Sequence, residues 1–448
     1  MASTRIYRTA GSPTLNTKHT ISLWFKRGRL SFGDTFIMDG YQDSSNRFKL
    51  AFDSSDRLEL YNTHGGSYKY NVRTNRKFRD VSAFYHLVIR IDMTQSSASD
   101  RVRIYVNGTE EESFETYTDS TQDDANNVVN ESGATISIGD YQGGSNGFSG
   151  LMAHFHFIDG TSYAPTTFAE TDSTSGLWIP ITNPSVTYGN NGFFLKFENS
   201  GNLDLDSSGN GLTFTTSGSL TQNKDTPTNS YAILNHLHQL GNSQATLTNG
   251  NLTYTGHSST NYSGVHSSLA ASSGKWYAEF KCTGGGGAVD MMMGAGNGLF
   301  NSTAPGAGSQ DYVIFGYDGK IYNSGSGSTY GSALTSGDII CVAMDLDNNK
   351  IYYRKNEDAW FNSGVPTSGS TGTGAQTLAA SSTGVYHFLI GDYGSSGTPV
   401  CDANFGSGYF GTTAVSSANA DANGHGAFEY AVPTGYYAMN TKNIKEFG

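Results

Sequence analysis

Residues 85–110 read YHLVIRIDMTQSSASDRVRIYVNGTE, and the rhythm of this stretch decides the fold class. Tyr85, Leu87, Ile89 and Ile91 occupy every second position, as do Val102, Ile104 and Val106. Apolar residues at that spacing put one row of side chains on one face of an extended strand. The second run stops at Asn107-Gly108, a pair suited to the positive φ angles of a two-residue type I′ turn. The same alternation recurs on either side. Ile21, Leu23 and Phe25 share a face in TISLWFKR (20–27). Phe48, Leu50 and Phe52 lead through Ser54-Ser55-Asp56 into Leu58 and Leu60, a hairpin. Phe155 and Phe157 point inward from GLMAHFHF (150–157), and Phe193, Leu195 and Phe197 from GFFLKF (192–197). No helical period of useful length interrupts residues 1–200. Strands that are apolar on one face bury it by stacking two sheets, so the first half is expected to be a β-sandwich.

A chain of 448 residues is too long for one such core, and two domains are expected. Residues 199–229 turn Ser/Thr/Asn/Gly-rich and read as a linker with one closing strand. SYAILNHLHQL (230–240) fits either a helical turn or a strand. Alternation then resumes: Trp276, Ala278 and Phe280 oppose Tyr277, Glu279 and Lys281. DYVIFGYDGKIYN (311–323) reads as a hairpin turning at Asp318-Gly319. DIICVAMDLDNNKIYYRKN (338–356) reads as another, turning at Asp347-Asn348-Asn349. GVYHFLIGDY and CDANFG supply late strands, while 364–384 and 411–427 read as loops. The expected architecture is all-β: two sandwiches at 1–215 and 246–448, joined by a linker at 216–245.

Composition agrees. With 56 Gly against 9 Pro, tight turns recur at short intervals. With 27 Tyr and 25 Phe there are rings enough to fill two cores, since each buries about 150–250 Å². A net charge of −12 without a Lys/Arg cluster argues against nucleic acid as a partner. Cys282, Cys341 and Cys401 are odd in number and scattered, as reduced core thiols would be. The start, MASTRIYRTAGSP, has no apolar targeting core, and no apolar run is long enough to cross a membrane as a helix. A soluble, cytoplasm-made chain is expected.

These stretches resemble known families. ISLWFKR (21–27), FRDVSAFYHLVIRID (78–92), RVRIYVNGTE (101–110), GFSGLMAHFHFIDG (147–160), TYGNNGFFLKF (187–197) and DSSGNG (206–211) are similar, in order, to concanavalin A-like (laminin-G-like) jelly rolls of tailed-phage structural proteins. GNLTYTG (250–256), SGKWYAEF (273–280), GDIICVAMDLDNNKIYYRKN (337–356), DANFG (402–406) and PTGYYAMNTKNI (433–444) resemble a SPRY-like domain. The resemblance implies a bacteriophage virion-surface protein, part of a tail fibre or spike or a capsid-attached knob, that binds a host-surface glycan and other virion proteins. The alternative is a decoration or adaptor that binds only virion proteins. No shaft repeats precede the first module, which favours a compact knob, and appendages of this kind imply a homo-oligomer.

No motif speaks for catalysis. Glycosidases on this fold carry two carboxylates on one strand face, and no such run is present. Glu110-Glu111-Glu112 follows a tight turn and reads as a solvated hairpin end. There is no Gly-x-Ser-x-Gly elbow. Asp204-Leu-Asp206 and Asp345-Leu-Asp347 begin like calcium loops but have Thr215 and Asn356 where a bidentate Glu is needed. Calcium at a rim would draw on Asp39, Asp140 or Asp159. His154 and His156, with His86 on another strand, form a pair without a third metal ligand and read as outward strand positions. For a glycan, an exposed ring covers the sugar's CH face while amides and carboxylates take its hydroxyls. Three loops fit: Tyr141, Gln142 and Asn146; Trp360 and Asn362; Asp392 and Tyr393.

Overall fold

The computed structural model describes residues 4–144, 146–240, 245–257, 262–284, 289–299, 304–392 and 398–448. The chain divides into two compact units, Met1–Gln222 with Thr226–Thr228, and Asn223–Asp225 with Asn229–Gly448.

The first unit stacks two antiparallel sheets. Eight strands form the larger one, in the spatial order Phe114–Thr118, Ser67–Lys77, Arg57–His64, Asn46–Phe52, Thr35–Asp43, Thr135–Ile138, Arg5–Thr9, Thr215–Ser217. The other runs Phe193–Leu195, Gly150–Asp159, Lys18–Arg27, Tyr85–Asp92, Val102–Val106, Thr109–Glu110. The inward rows read from the sequence meet between the sheets. Ile21, Leu23, Phe25, Phe48, Leu50, Phe52, Leu87, Ile89, Ile91, Ile104, Phe155 and Phe157 belong to one buried cluster. At Asn107-Gly108 both φ angles are positive, 49° and 81°, and Val106 pairs with Thr109 across the turn.

The strand Gly150–Asp159 departs from simple alternation. Its pairing with Lys18–Arg27 slips between Ala153 and His156, and His154 takes φ 47°. This bulge keeps Phe155 and Phe157 in the core. The outer face of this sheet is not half-exposed as its polar residues suggest. Tyr163, Phe168, Val186 and Tyr188 pack over Val88, Tyr105 and Ile158, so His86 and His156 are buried.

The second unit is also a sandwich. One sheet runs Leu234–Leu240, Gly264–Ser267, His387–Asp392, Met291–Gly296, Tyr312–Phe315, Lys320–Asn323, Ser326–Thr329. The other runs Thr246–Thr248, Thr253–Thr255, Val400–Asn404, Lys275–Cys282, Ile339–Asp345, Lys350–Lys355, Gln376–Thr377, with Tyr437–Ala438 added in parallel against Lys275–Cys282. The stretch 230–240, open between helix and strand in the sequence, is a strand from Leu234 to Leu240. The segment 216–245 therefore carries strand at both ends: Thr215–Ser217 pairs with Arg5–Thr9, and Leu234–Leu240 with Gly264–Ser267.

Two features lay outside the alternation. The row Tyr277, Cys341, Ala343 and Tyr352 faces away from the partner sheet yet is buried, covered by Phe410, Phe428, Tyr436 and Ala438. The chain also ends in a seven-residue α-helix, Thr441–Phe447, whose first turn is capped by Asn440 accepting from the Asn443 amide.

Candidate functional site

The three loops expected to carry ligand contacts are built differently. The first follows the strand Thr135–Ile138. Tyr141 is half-buried: its ring stacks on Phe36 at 5.3 Å, and the Arg47 guanidinium lies 3.9 Å from its centre. It is a packed loop aromatic rather than a presented platform. Gln142 is exposed with φ 46°. The Asn146 carbonyl accepts from the Phe36 amide at 3.0 Å, which ties the loop back to the sheet. Asp39 and Asp140 are both fully buried here. Arg47 Nε donates to Asp39 Oδ1 at 3.0 Å, yet burial dominates and pushes the Asp39 carboxyl up to about 6. Among the described residues, Asp39 Oδ2, both Asp140 oxygens, Arg47 Nη2 and Arg5 Nε have no hydrogen-bond partner.

The two carboxylates invite comparison with a calcium site, and the donor set fits poorly. Calcium takes six to eight oxygens, whereas the nearest strong charge to Asp39 is a guanidinium already bonded to it. Asp159 is fully committed. It accepts from the Thr14, Leu15 and Asn191 amides and from Asn130 Nδ2 at 2.7–3.3 Å, fastening loop ends together. Among the described residues, no group of three or more His, Cys, Asp or Glu is placed to hold a metal.

The third loop does not present Asp392. Its carboxylate is buried and accepts from the Ser263 amide (2.7 Å), Ser263 Oγ (3.1 Å) and the His257 amide (2.9 Å). The residue ties His257 to Ser263, giving their backbone amides an acceptor. Tyr393 lies outside the described residues.

The second loop has an open arrangement. Trp360 is half-buried at the head of the turn Phe361–Ser363. Arg354 sits 5.1 Å from its ring and 5.5 Å from that of Tyr430, a guanidinium between two aromatic faces. Asn362 and Ser363 take φ 56° and 55°, unusual for residues with a Cβ. Phe361 anchors the turn edge-on against Tyr330, at 6.4 Å. Asn362 is exposed, and its side-chain amide reaches the Gly374 carbonyl at 3.5 Å.

Gly374 joins this turn to a groove the loop reading missed. A Cβ on Gly374 would meet the Asn362 carbonyl at 2.5 Å and Gly364 Cα at 2.5 Å, so the segments touch. The next residues, Ala375, Gln376 and Thr377, form one wall of a cavity of about 520 Å³. The other wall is Tyr312, Ile321, Asn323, Ser326, Gly327 and Ser328. The groove thus lies where the edge strands Ser326–Thr329 and Gln376–Thr377 of the two sheets come side by side. Its polar lining is hydroxyl and amide with no charged side chain, a donor and acceptor set that matches sugar hydroxyls. No signal in the sequence marks these residues. Tyr312, Ile321 and Asn323 come from the hairpin read at 311–323, whereas Ser326–Ser328 and Ala375–Thr377 lie in polar stretches without period.

The carboxylates after Asn107-Gly108 make no cleft. Glu110 pairs with Arg103 at 3.3 Å, and Glu111 with Arg76. His86, His154 and His156 have structural partners. Trp178 Nε1 donates to His86 Nδ1 at 3.0 Å, leaving His86 Nε2 to Ser22 Oγ at 2.9 Å. His156 pairs with the Tyr188 hydroxyl at 2.9 Å, and its ring centre lies 3.8 Å from that of Phe194. His154 tilts against the same Phe194 ring at 5.8 Å.

Comparison with known proteins bears on the fold. Residues 3–165 match the family model described as Concanavalin A-like lectin/glucanases superfamily. Residues 3–165 are a concanavalin A-like domain. That superfamily name covers lectins and glucanases alike. Among solved structures, the SPRY domain of human HERC1 aligns with a TM-score of 0.30 and 17% identity, over 38% of this chain and 96% of that one. A heptameric SAP-like pentraxin from Limulus polyphemus aligns at 0.29 and 14%, over 42% and 87%. Ran-binding protein 9 of Danio rerio is 35% identical over 92 residues, 20% of this chain and 15% of that protein. The human Ran-binding protein 9 shows the same identity over 92 residues, 12% of its length. The chain therefore spans only a small part of these curated relatives.

Proposed function

We propose that this protein is a non-catalytic binding protein of a bacteriophage particle surface whose ligand is a host-surface glycan. The observation that carries the reading is the uncharged groove beside the Trp360 turn. It offers the Ser326, Ser328 and Gln376 side chains for hydroxyls, with the Tyr312 ring in its lining. The ordered resemblance to phage jelly rolls supplies the virion setting. The pairing of Glu110 and Glu111 with arginines supports binding over hydrolysis, since acid/base catalysis needs carboxylates facing a substrate cleft. Single sites of this size bind sugars weakly, and repetition around a homo-oligomer attached to other virion proteins would raise avidity.

The test is a glycan array and a host-cell pull-down with the purified full chain. Selective array signals with retention on host cells are expected. A blank array, with retention instead of other particle proteins, would leave the adaptor reading in place. Incubation with host capsule polysaccharide should leave chain lengths unchanged, and shortened chains would make the protein an enzyme.

A further inference from the structure

Cys282 and Cys401 lie on the paired strands Lys275–Cys282 and Val400–Asn404, directly opposite each other in the register. The Thr283 amide donates to the Val400 carbonyl at 2.9 Å, which makes the neighbouring 283/400 position the hydrogen-bonded one. The Cys282 amide turns the other way, to the Asp338 carbonyl at 3.2 Å. Cys282 and Cys401 are therefore a non-hydrogen-bonded pair, the type whose Cα atoms stand about 4.5 Å apart. That separation is inside the ~4.4–6.8 Å range a disulfide spans. Both side chains point into the inter-sheet core, fully buried, with their sulfurs 3.9 Å apart. Met293 Sδ, on the facing sheet, lies 3.4 Å from Cys282 Sγ. Cys341 is on the opposite face of its sheet, within the separate cluster of Tyr277 and Tyr352.

We propose that Cys282 and Cys401 are an oxidation site, closing to a cross-strand disulfide when the folded chain meets a small peroxide-class oxidant. The pairing places the partners with no backbone movement, and side-chain rotation alone brings sulfur to sulfur. The chemistry balances with hydrogen peroxide. One thiolate attacks the peroxide, its O–O bond breaks, and the first oxygen leaves as water while the second stays on sulfur as a sulfenic acid. The other thiol displaces that oxygen as a second water and forms the S–S bond. Two thiols lose two hydrogens in all, and one peroxide becomes two waters. Burial holds the Cys401 thiol well above the ordinary range, so little thiolate exists at neutral pH and closure quickens as pH rises. The link closes a loop of 119 residues, long enough to restrict the unfolded chain strongly.

The experiment treats the full folded chain with hydrogen peroxide, then counts free thiols under denaturing conditions and maps the peptides. Of three thiols before treatment, one is expected afterwards, with a 282–401 crosslinked peptide, a raised melting temperature, and reversal by dithiothreitol. Cys341→Ser should behave like the parent apart from its missing thiol. Cys282→Ser and Cys401→Ser should each yield no intramolecular crosslink. Three thiols surviving, a crosslink involving Cys341, or sulfinic acid at Cys282 or Cys401 without a crosslink would each overturn the proposal.

Discussion

The Glu279 carboxylate is buried among four donors. The Tyr277 hydroxyl and Tyr430 amide reach one oxygen, at 3.0 and 2.9 Å, and Asn404 Nδ2 and the Glu429 amide reach the other, at 3.2 and 2.8 Å. Burial still dominates and raises its pKa to about 7. Glu279→Gln would turn one acceptor into an amide donor facing an N–H, so a loss of ~2–4 kcal/mol is expected in denaturant unfolding of the variant, the scale of a buried polar group left unsatisfied in a charged network. An unchanged midpoint would show the four contacts to be incidental. Asp392→Ala makes a sharper comparison, because the sequence read Asp392 as a ligand contact and the fold uses it as a clamp. Removing it strands the Ser263 and His257 amides. The expected result is a stability loss of ~2–3 kcal/mol with ligand affinity retained. Affinity lost at full stability would return Asp392 to the binding site.

At the scale of strands and loops, legibility divides along a physical line. Inward rows such as Leu87, Ile89 and Ile91 could be read because one buried face imposes period two. The Asn107-Gly108 and Asp318-Gly319 turns could be read because few residues tolerate positive φ. The covering of outer faces could not be read. Tyr163, Phe168 and Phe428 sit on loops and Phe410 on a two-residue strand, where no period announces what they cover. The same limit applied to the site. Trp360 stood out as a loop aromatic, but Arg354, Tyr430, Ser328 and Gln376 reach it or the groove only through long-range pairing. The Trp360 turn carries its own prediction. Trp360→Ala removes the loop aromatic and its cation–π contact with Arg354, yet the ring is half-exposed. A melting temperature within a few degrees of the parent, with weaker retention on host cells, is expected. Retention equal to the parent's would take the turn out of the ligand site.

Across the whole molecule, buried histidines govern the response to acid. Burial lowers the pKa of His19 and His86 to about 3 and of His154 to about 4, and also lowers those of His156, His238, His266 and His387. A histidine whose folded pKa is depressed binds its proton more readily when unfolded, so its stability contribution is present above about 6.5 and is lost as pH falls below that value. Asp39 and Asp311, raised to about 6, and Glu279, raised to about 7, act in the opposite sense, favouring the folded chain as pH falls. The histidines are more numerous, and their shifts span the same window. Thermal scans are therefore expected to give a lower melting temperature at pH 5 than at pH 7.5. An equal or higher value at pH 5 would mean that the carboxyls prevail.

The proposed glycan site is the uncharged groove, and Ser328 gives direct access to it. This residue lines the groove from an exposed edge strand, so Ser328→Trp should fill the cavity while leaving the core untouched. The measurement is calorimetric titration of parent and variant with the best-scoring oligosaccharide from the array, alongside their melting temperatures. At least a tenfold loss of affinity, about 1.4 kcal/mol, with matching melting temperatures is the result expected. Equal affinity in both proteins would contradict it and place the ligand elsewhere.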